Sequence, residues 1–191
     1  MLTRGHGQPG FTLIELMITL VILGILLTQA IPSFISWIQN QQIRNSAESI
    51  LNGLQLAKAK ALRSNTNTEL ALVASGIDPV PANVGAAAST TGTNWIVRTF
   101  QIAGTYGPND FVQGRAGEEG SQNAVVTADQ ASFVFTPLGR LLNPPAADVL
   151  INVDSATSYD NKRPMRIVVS PGGQIRMCDP NRVDKTNPQF C

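Results

Sequence analysis

A continuous apolar segment near the start of the chain limits what it can fold into. Residues 11–31 are twenty-one residues with a single charged side chain, Glu15. As an α-helix rising about 1.5 Å per residue, this segment would extend roughly 30 Å, which is the hydrocarbon thickness of a bilayer. The segment therefore predicts one membrane-spanning helix. Arg4 precedes it, which predicts a cytoplasmic N-terminus and a C-terminal domain on the other side of the membrane.

Two ordinary explanations of such a segment leave part of it unexplained. A cleaved secretory signal has a shorter apolar region that ends at a small-residue cleavage site, and residues 29–32 lack one. A plain signal anchor does not explain Glu15, because a carboxylate inside a membrane helix is costly unless it is paired. Glu15 therefore predicts a partner of opposite charge.

The junction Gly10-Phe11-Thr12-Leu13-Ile14-Glu15-Leu16 resembles the processing site of type IV prepilins and related pseudopilins. The resemblance implies that a prepilin peptidase cuts after Gly10 and methylates the new amine of Phe11. A glycine before the cut leaves the peptide extended and unobstructed. The resemblance also implies that Glu15 pairs with the N-terminal amine of a neighbouring subunit during assembly, which offsets the cost of burying both charges. Residues 1–10 are then a leader, and residues 11–31 form a transmembrane helix that becomes part of a filament core.

The helix is expected to continue beyond the apolar segment. Pro32 removes one backbone donor and is expected to kink the helix rather than end it, and the resemblance gives it a role in assembly. Apolar residues then recur at three- and four-residue steps, which is typical of an amphipathic helix packed on a domain core. Residues 32–65 are predicted to continue one helix, roughly 11–64, that buries Ile43, Ala47, Ile50, Leu54, Ala57 and Ala61.

Beyond residue 65 the pattern changes to short runs rich in Val, Ile and aromatic residues, bounded by Gly, Pro, Asn and Asp. Such runs predict β-strands. The predicted strands are Glu69–Ser75, Trp95–Ile102, Ala131–Thr136, Val149–Asp154, Arg166–Ser170 and Gln174–Cys178.

The segments between these strands complete the predicted architecture. Ser170-Pro171-Gly172-Gly173 predicts a turn that joins the last two strands in an antiparallel hairpin. Residues 76–94 and 104–130 are long connections, which predicts functional or mobile surface loops. The expected fold is α+β and type IV pilin-like. Its long N-terminal helix packs on one twisted antiparallel sheet, or on two small ones, formed by a β-rich periplasmic domain of residues 66–191.

Three segments of the C-terminal half resemble the GspH/FimT group, which contains minor pilins of type IV pili and a minor pseudopilin of type II secretion. They read FVFTPLGR at residues 133–140, MRIVVS at residues 165–170 and GGQIRMC at residues 172–178. The resemblance is strongest over residues 10–65 and extends more weakly to about residue 180.

Cys178 and Cys191 are the only cysteines of the chain. A domain exported to the periplasm meets oxidising conditions, so we expect a disulfide rather than two free thiols. Such a bridge closes a loop of 14 residues and contributes about 3 kcal/mol in the chain-entropy model. A metal site is not expected, because the one histidine lies in the leader and no Cys-x-x-Cys spacing occurs. Within the resemblance, a C-terminal disulfide loop is common in type IV pilins and favours a pilus component.

The sequence does not predict an enzyme. His6 would be lost with the leader, which removes the usual general base. The chain also lacks a phosphate-binding glycine loop, a nucleophile elbow and a clustered pair of carboxylates. We expect no catalytic residue and no cofactor.

Basic residues are concentrated at the C-terminal end, where a cationic patch would bind DNA phosphates. Some FimT-type minor pilins bind DNA through a Gly-Arg-x-Arg motif, and here Gly173-Gln174-Ile175-Arg176 retains only its second arginine. The other interpretation is a set of ordinary solvated cations. The candidates are Arg163, Arg166, Arg176, Arg182 and Lys185, with Lys162 beside them.

The resemblance to the GspH/FimT group, together with the size of the loops, therefore implies a minor pilin of the type IV pilus that primes pilus assembly and lies at the tip. It is expected in the bacterial inner membrane as a single-pass protein with a periplasmic domain, and later in the pilus. Its expected partners are other major and minor pilins, the prepilin peptidase and the inner membrane. Two alternatives remain open: a minor pseudopilin of type II secretion, and a minor pilin that binds DNA for natural transformation.

Overall fold

A computed structural model describes residues 10–191, so Arg4, His6 and the rest of the leader up to residue 9 lie outside the described residues. The chain divides into two compact units, Met1–Trp37 and Ile38–Cys191. One helix, α1, comprises Leu13–Ser64. This agrees with the predicted helix to within two residues.

The helix contains a break in its first half. The break separates Leu13–Thr28 from Ser33–Ser64, and it includes Pro32, which has no backbone N–H to donate. No single straight helix of the described residues has the length and hydropathy of a membrane span, but the two segments together do.

The second half of α1 lies within the unit Ile38–Cys191 and packs one face on its core. All six residues predicted for the buried face, Ile43, Ala47, Ile50, Leu54, Ala57 and Ala61, are 0% exposed. On the opposite face, Arg44 and Glu48 form an exposed ion pair of 2.7 Å. The helix is followed by Asn65 in a left-handed conformation (φ 53°), a common way to end a helix.

Within residues 10–191, eight strands form two antiparallel sheets rather than one. Sheet A has the order β3-β2-β1-β5 and sheet B the order β4-β6-β7-β8. This is the two-sheet form of the predicted architecture, and the α+β fold with its long helix is confirmed. The strands are β1 (Thr68–Val73), β2 (Asn94–Thr99), β3 (Phe111–Arg115), β4 (Ala124–Ala128), β5 (Ser132–Phe135), β6 (Val149–Ser155), β7 (Met165–Val169) and β8 (Ile175–Cys178).

The prediction of one long connection over residues 104–130 was wrong, because β3 and β4 lie within it. Both are edge strands of their sheets. Each is stabilised by pairing with a distant strand, β3 with β2 and β4 with β6. β-strand formation depends more on such pairing than on local preference, and a five-residue run such as Phe111–Arg115, with Gly114 and two polar residues, gives little local signal.

The connection over residues 76–94 packs against sheet A and is not a free surface loop. β1 is buried on both faces along its whole length. One face belongs to the main core, while Ala71, Val73 and Ile96 on the other face pack against Ile77 and Ala86. The connection therefore covers the outer face of sheet A.

The main core lies between α1 and the inner faces of the two sheets. β6 shows the alternation expected of a strand with one buried face, with Val149, Ile151 and Val153 inside. Phe133 and Phe135 of β5 fill the centre and are 0% exposed. Every buried apolar side chain of the described residues lies at Ile43 or beyond. The unit Ile38–Cys191 thus contains a complete core, so we expect it to fold on its own.

The C-terminal end follows the sequence prediction closely. β7 and β8 form an antiparallel hairpin in which Val169 pairs with Ile175. In the turn between them, the Gly173 N–H donates to the Ser170 carbonyl oxygen at 2.8 Å. Cys178 and Cys191 form the predicted disulfide, with their Cα atoms 5.2 Å apart.

Candidate functional site

The predicted processing junction lies ahead of the helix in irregular backbone. Gly10 has no neighbouring atoms within 4 Å of the position a Cβ would take. Phe11 is 86% exposed. The peptide bond between them is therefore sterically accessible, as a proteolytic cut requires.

The start of α1 is fixed by Thr12. Its Oγ1 accepts a hydrogen bond from the Glu15 N–H at 3.2 Å, which caps one of the free donors at the helix N-terminus. Glu15 lies in the first turn, where a negative charge also interacts favourably with the helix dipole. The Thr-x-x-Glu spacing is itself a sequence signal for such a cap.

The first half of α1 exposes apolar side chains in every direction. The side chains of Ile14, Val21 and Leu26 are each more than 60% exposed. The other large apolar side chains of Leu13–Thr28 are at least half exposed. A helix that is apolar on all sides is stable only inside a lipid or protein environment. This segment therefore requires a lipid or protein environment around its apolar side chains.

A buried ion pair joins β1 and β2 on the outer side of sheet A. Arg98 Nε donates to Glu69 Oε2 at 2.7 Å, and the two side chains are only 6% and 5% exposed. Arg98 Nη1 also donates to the carbonyl oxygens of Val84 at 2.5 Å and Ala86 at 3.1 Å. The arginine thus ties the covering connection to the sheet. No sequence pattern indicated this pair.

Tyr106 completes this polar cluster. Its hydroxyl donates to Glu69 Oε2 at 2.7 Å, and the guanidinium carbon of Arg98 lies 3.8 Å from its ring centroid. Burial raises the pKa of the Tyr106 phenol to about 12, with a further contribution from the hydrogen bond to Glu69 and its negative charge. Glu69, Arg98 and Tyr106 therefore connect the two long connections to sheet A, which gives these loops a fixed conformation.

The pKa of Tyr106 leads to a prediction at high pH. Between pH 10 and 12 an unfolded tyrosine loses its proton while the folded Tyr106 keeps it, so stability falls as the pH rises through this window. In a Tyr159→Phe variant of residues 38–191, the phenolate absorbance should appear with a midpoint of about 12 while tryptophan fluorescence still reports a folded domain. A midpoint near 10 in the folded protein would contradict the hydrogen bond to Glu69.

The candidate DNA-binding cations do not form one free patch, because several of them contact other groups of the domain. Arg176 donates to the backbone oxygens of Phe190 and Cys191, at 3.4 and 3.3 Å. Arg182 lies 3.5 Å from the Asp179 carboxylate. Arg163 and Lys185 are exposed. Two of the five candidates are thus occupied by the C-terminal tail itself.

The other cations lie at sheet B. Arg166 Nε donates to Asn152 Oδ1 at 2.7 Å, and Lys162 pairs with Asp154 at 2.9 Å. Residues 10–191 contain no group of three or more His, Cys, Asp or Glu side chains that could hold a metal ion.

Gly173, the first residue of the partial DNA-binding motif, has a structural role. It has φ 80°, and a Cβ there would collide with the Gly139 carbonyl oxygen. Its own carbonyl oxygen accepts a hydrogen bond from Lys58 Nζ at 2.8 Å. The hairpin turn therefore packs closely on the loop after β5 and on α1, which explains why a glycine stands at this position.

Comparison with known proteins gives two family matches. The family model described as Type II transport protein GspH matches residues 46–173. The model described as prokaryotic N-terminal methylation motif matches residues 5–28.

Solved structures resemble the fold. One crystal structure of the type IV minor pilin FimU from Pseudomonas aeruginosa PAO1 has a TM-score of 0.56 at 13% identity, over 78% of this chain and 99% of that chain. A second FimU crystal form gives 0.52 at 14% identity, over 74% and 99%. The minor pseudopilin EpsH from the type 2 secretion system of Vibrio cholerae gives 0.47 at 9% identity, over 74% and 99%.

Proposed function

The chain belongs to the GspH family, and from this membership we propose that it is a minor pilin that primes assembly of a type IV pilus and lies at the pilus tip. More broadly, it is a pilin-like subunit of the minor pilin or pseudopilin class. The proposal is carried by one observation: the first half of α1 is apolar and exposed on all sides, while the rest of the chain has a complete core of its own. Such a helix suits first a membrane and then the interior of a filament.

Processing connects these two environments. We propose that the prepilin peptidase cuts between Gly10 and Phe11, where the backbone is accessible, and methylates the new amine. The cut places that amine one residue before the Thr12 cap. Glu15 is then available to pair with the amine of a neighbouring subunit, which is the partner its position in an apolar segment requires. The inner membrane would hold the subunit by residues 11–31, with the domain in the periplasm.

The Cys178–Cys191 disulfide favours a pilus over a secretion system, since a C-terminal disulfide loop is typical of the pilins that this sequence resembles. A minor pseudopilin of type II secretion is the alternative within the same family. DNA binding has less support, because Arg176 and Arg182 already have partners within the C-terminal tail.

The assembly role predicts the phenotype of a deletion strain. Pili sheared from cells that lack this chain should be absent or scarce, and the wild-type gene should restore them. A Glu15→Ala gene should restore them poorly, because the amine of the neighbouring subunit would lose its counter-charge. Unchanged pili together with a loss of protein secretion would instead identify a secretion pseudopilin.

A further inference from the structure

The outer face of sheet B contains a groove that the proposed function does not use. It has a volume of about 610 Å³ and is lined by β4, β6, β7 and the first residues after β8. Polar side chains of Thr127, Asn152, Asp154 and Arg166 alternate with apolar ones such as Val125. Val125 is 39% exposed although it is a branched apolar residue on a regular strand. The groove therefore offers both polar and apolar contact surface.

Arg166 is held in a fixed position within this groove. It pairs with Asn152 across β6 and β7, and its Nε donates to the Asn152 side-chain oxygen at 2.7 Å. No hydrogen bond from its two Nη groups to any residue of the described chain is present. An arginine held through Nε presents the two remaining nitrogens as a planar fork, which is complementary to a carboxylate or a phosphate.

The charge of Arg166 is not neutralised within the domain. The nearest acidic residue along β6, Asp154, is already paired with Lys162 at 2.9 Å. Over residues 10–191, no carboxylate lies within 4.0 Å of the Arg166 side-chain nitrogens. Arg166 is also half-buried, which makes a counter-charge from a ligand worth more than at a fully solvated position.

The other residues that line the groove determine whether a carboxylate or a phosphate is the better ligand for the guanidinium fork. Nucleic acids are bound by several cations along the phosphate backbone and by aromatic side chains that stack on bases. Here one unneutralised cation has Val125, Pro164 and Pro180 as apolar neighbours, and no aromatic residue of the described chain lines the groove. A single carboxylate with apolar neighbours matches this surface better.

We propose that the groove around Arg166 on the outer face of sheet B docks an extended peptide segment of a partner protein, in which one Glu or Asp is flanked by apolar residues. The carboxylate binds the Nη fork of Arg166, and the flanking side chains contact Val125 and the prolines. All contacting residues lie within the unit Ile38–Cys191, so this inference does not rest on the proposed assembly role.

Peptide binding to the full chain in detergent micelles tests this proposal. The probes are two rhodamine-labelled hexapeptides, Gly-Val-Glu-Val-Thr-Gly and the same peptide with Gln in place of Glu, followed by fluorescence anisotropy. The Glu peptide should bind about tenfold or more tightly than the Gln peptide, since a charge-assisted bidentate pair is lost in the latter. Equal binding of the two peptides would overturn the proposal, and it would also reveal simple partitioning into the micelle.

Three variants locate the contact. Arg166→Gln should remove the preference for the Glu peptide, whereas Arg63→Gln, the same charge change at an exposed position of α1, should retain it. Asn152→Asp places a carboxylate where Arg166 Nε now donates, so it should also remove the preference while Arg166 stays in place. This variant keeps the test valid if Arg166→Gln fails to fold. An unchanged preference in Asn152→Asp, or binding of a twelve-residue oligothymidylate that depends on Arg166 without any peptide preference, would refute the peptide groove.

Discussion

Replacing Gly10 with valine is expected to leave the chain uncut and unmethylated, and to reduce piliation to the level of a deletion strain. Glycine is the one residue without a Cβ, and the structure shows open space around Gly10 in irregular backbone before α1. A branched side chain there would restrict the backbone and crowd the peptidase. The uncut chain would keep its polar leader and lack the amine that Glu15 is proposed to bind. Intact-mass spectrometry of membranes should detect the precursor, heavier by ten residues.

Gly7→Val serves as the matched control, since it makes the same substitution within the leader but away from the junction. This variant should be cut, methylated and assembled as the wild type. Normal processing of Gly10→Val would place the cut elsewhere. Normal piliation by an uncut precursor would separate assembly from processing and remove the proposed role of the amine.

The second large effect is expected at the buried pair of sheet A. Arg98→Met leaves the Glu69 carboxylate buried without its cation and frees the carbonyl oxygens of Val84 and Ala86. Breaking a buried ion pair on one side costs about 3–5 kcal/mol. For a domain of this size, that loss lowers Tm by roughly 10 °C. Urea unfolding of residues 38–191, followed by Trp95 fluorescence, would measure the change in the free energy of unfolding.

The exposed pair Arg44–Glu48 supplies a control with the same separation of 2.7 Å. Arg44→Met should cost less than about 1 kcal/mol, because water screens and solvates both charges at this position. The double variant Glu69→Leu/Arg98→Met should recover most of the loss, since no charge then remains buried. If Arg98→Met costs as little as Arg44→Met, the pair does not anchor the covering connection.

Short-range patterns predicted most of the helix and the C-terminal end. The apolar segment and the three- and four-residue steps beyond it identified α1 and its buried face. The Ser170–Gly173 turn identified the last hairpin, and the two cysteines identified the disulfide. Each of these features depends on residues close in sequence, or on the only two residues of their kind, so no knowledge of the tertiary fold was needed.

Long-range pairing decided the remainder. β3 exists because β2 offers it a hydrogen-bonding edge, and its own residues give little indication of a strand. β4 also pairs with a distant strand, β6, although its Ala-Val-Val-Thr-Ala run is a strand signal in itself. Glu69 and Arg98, 29 residues apart, become partners only when β1 and β2 pair in register. A sequence cannot show which of many charged residues will meet, since that depends on strand order and register.

The N-terminal segment shows what the sequence alone can determine, and the C-terminal cations show what it cannot. The sequence by itself determined that residues 11–31 need an apolar environment, because a run of that length and composition leaves no alternative way to satisfy its side chains. Only the tertiary structure decided which cations are free to bind a ligand. It engages Arg176 and Arg182 with the chain's own tail. It leaves the Nη fork of Arg166 open beside Asn152, because the pairing of β6 with β7 places a neutral amide, and not a carboxylate, opposite that arginine.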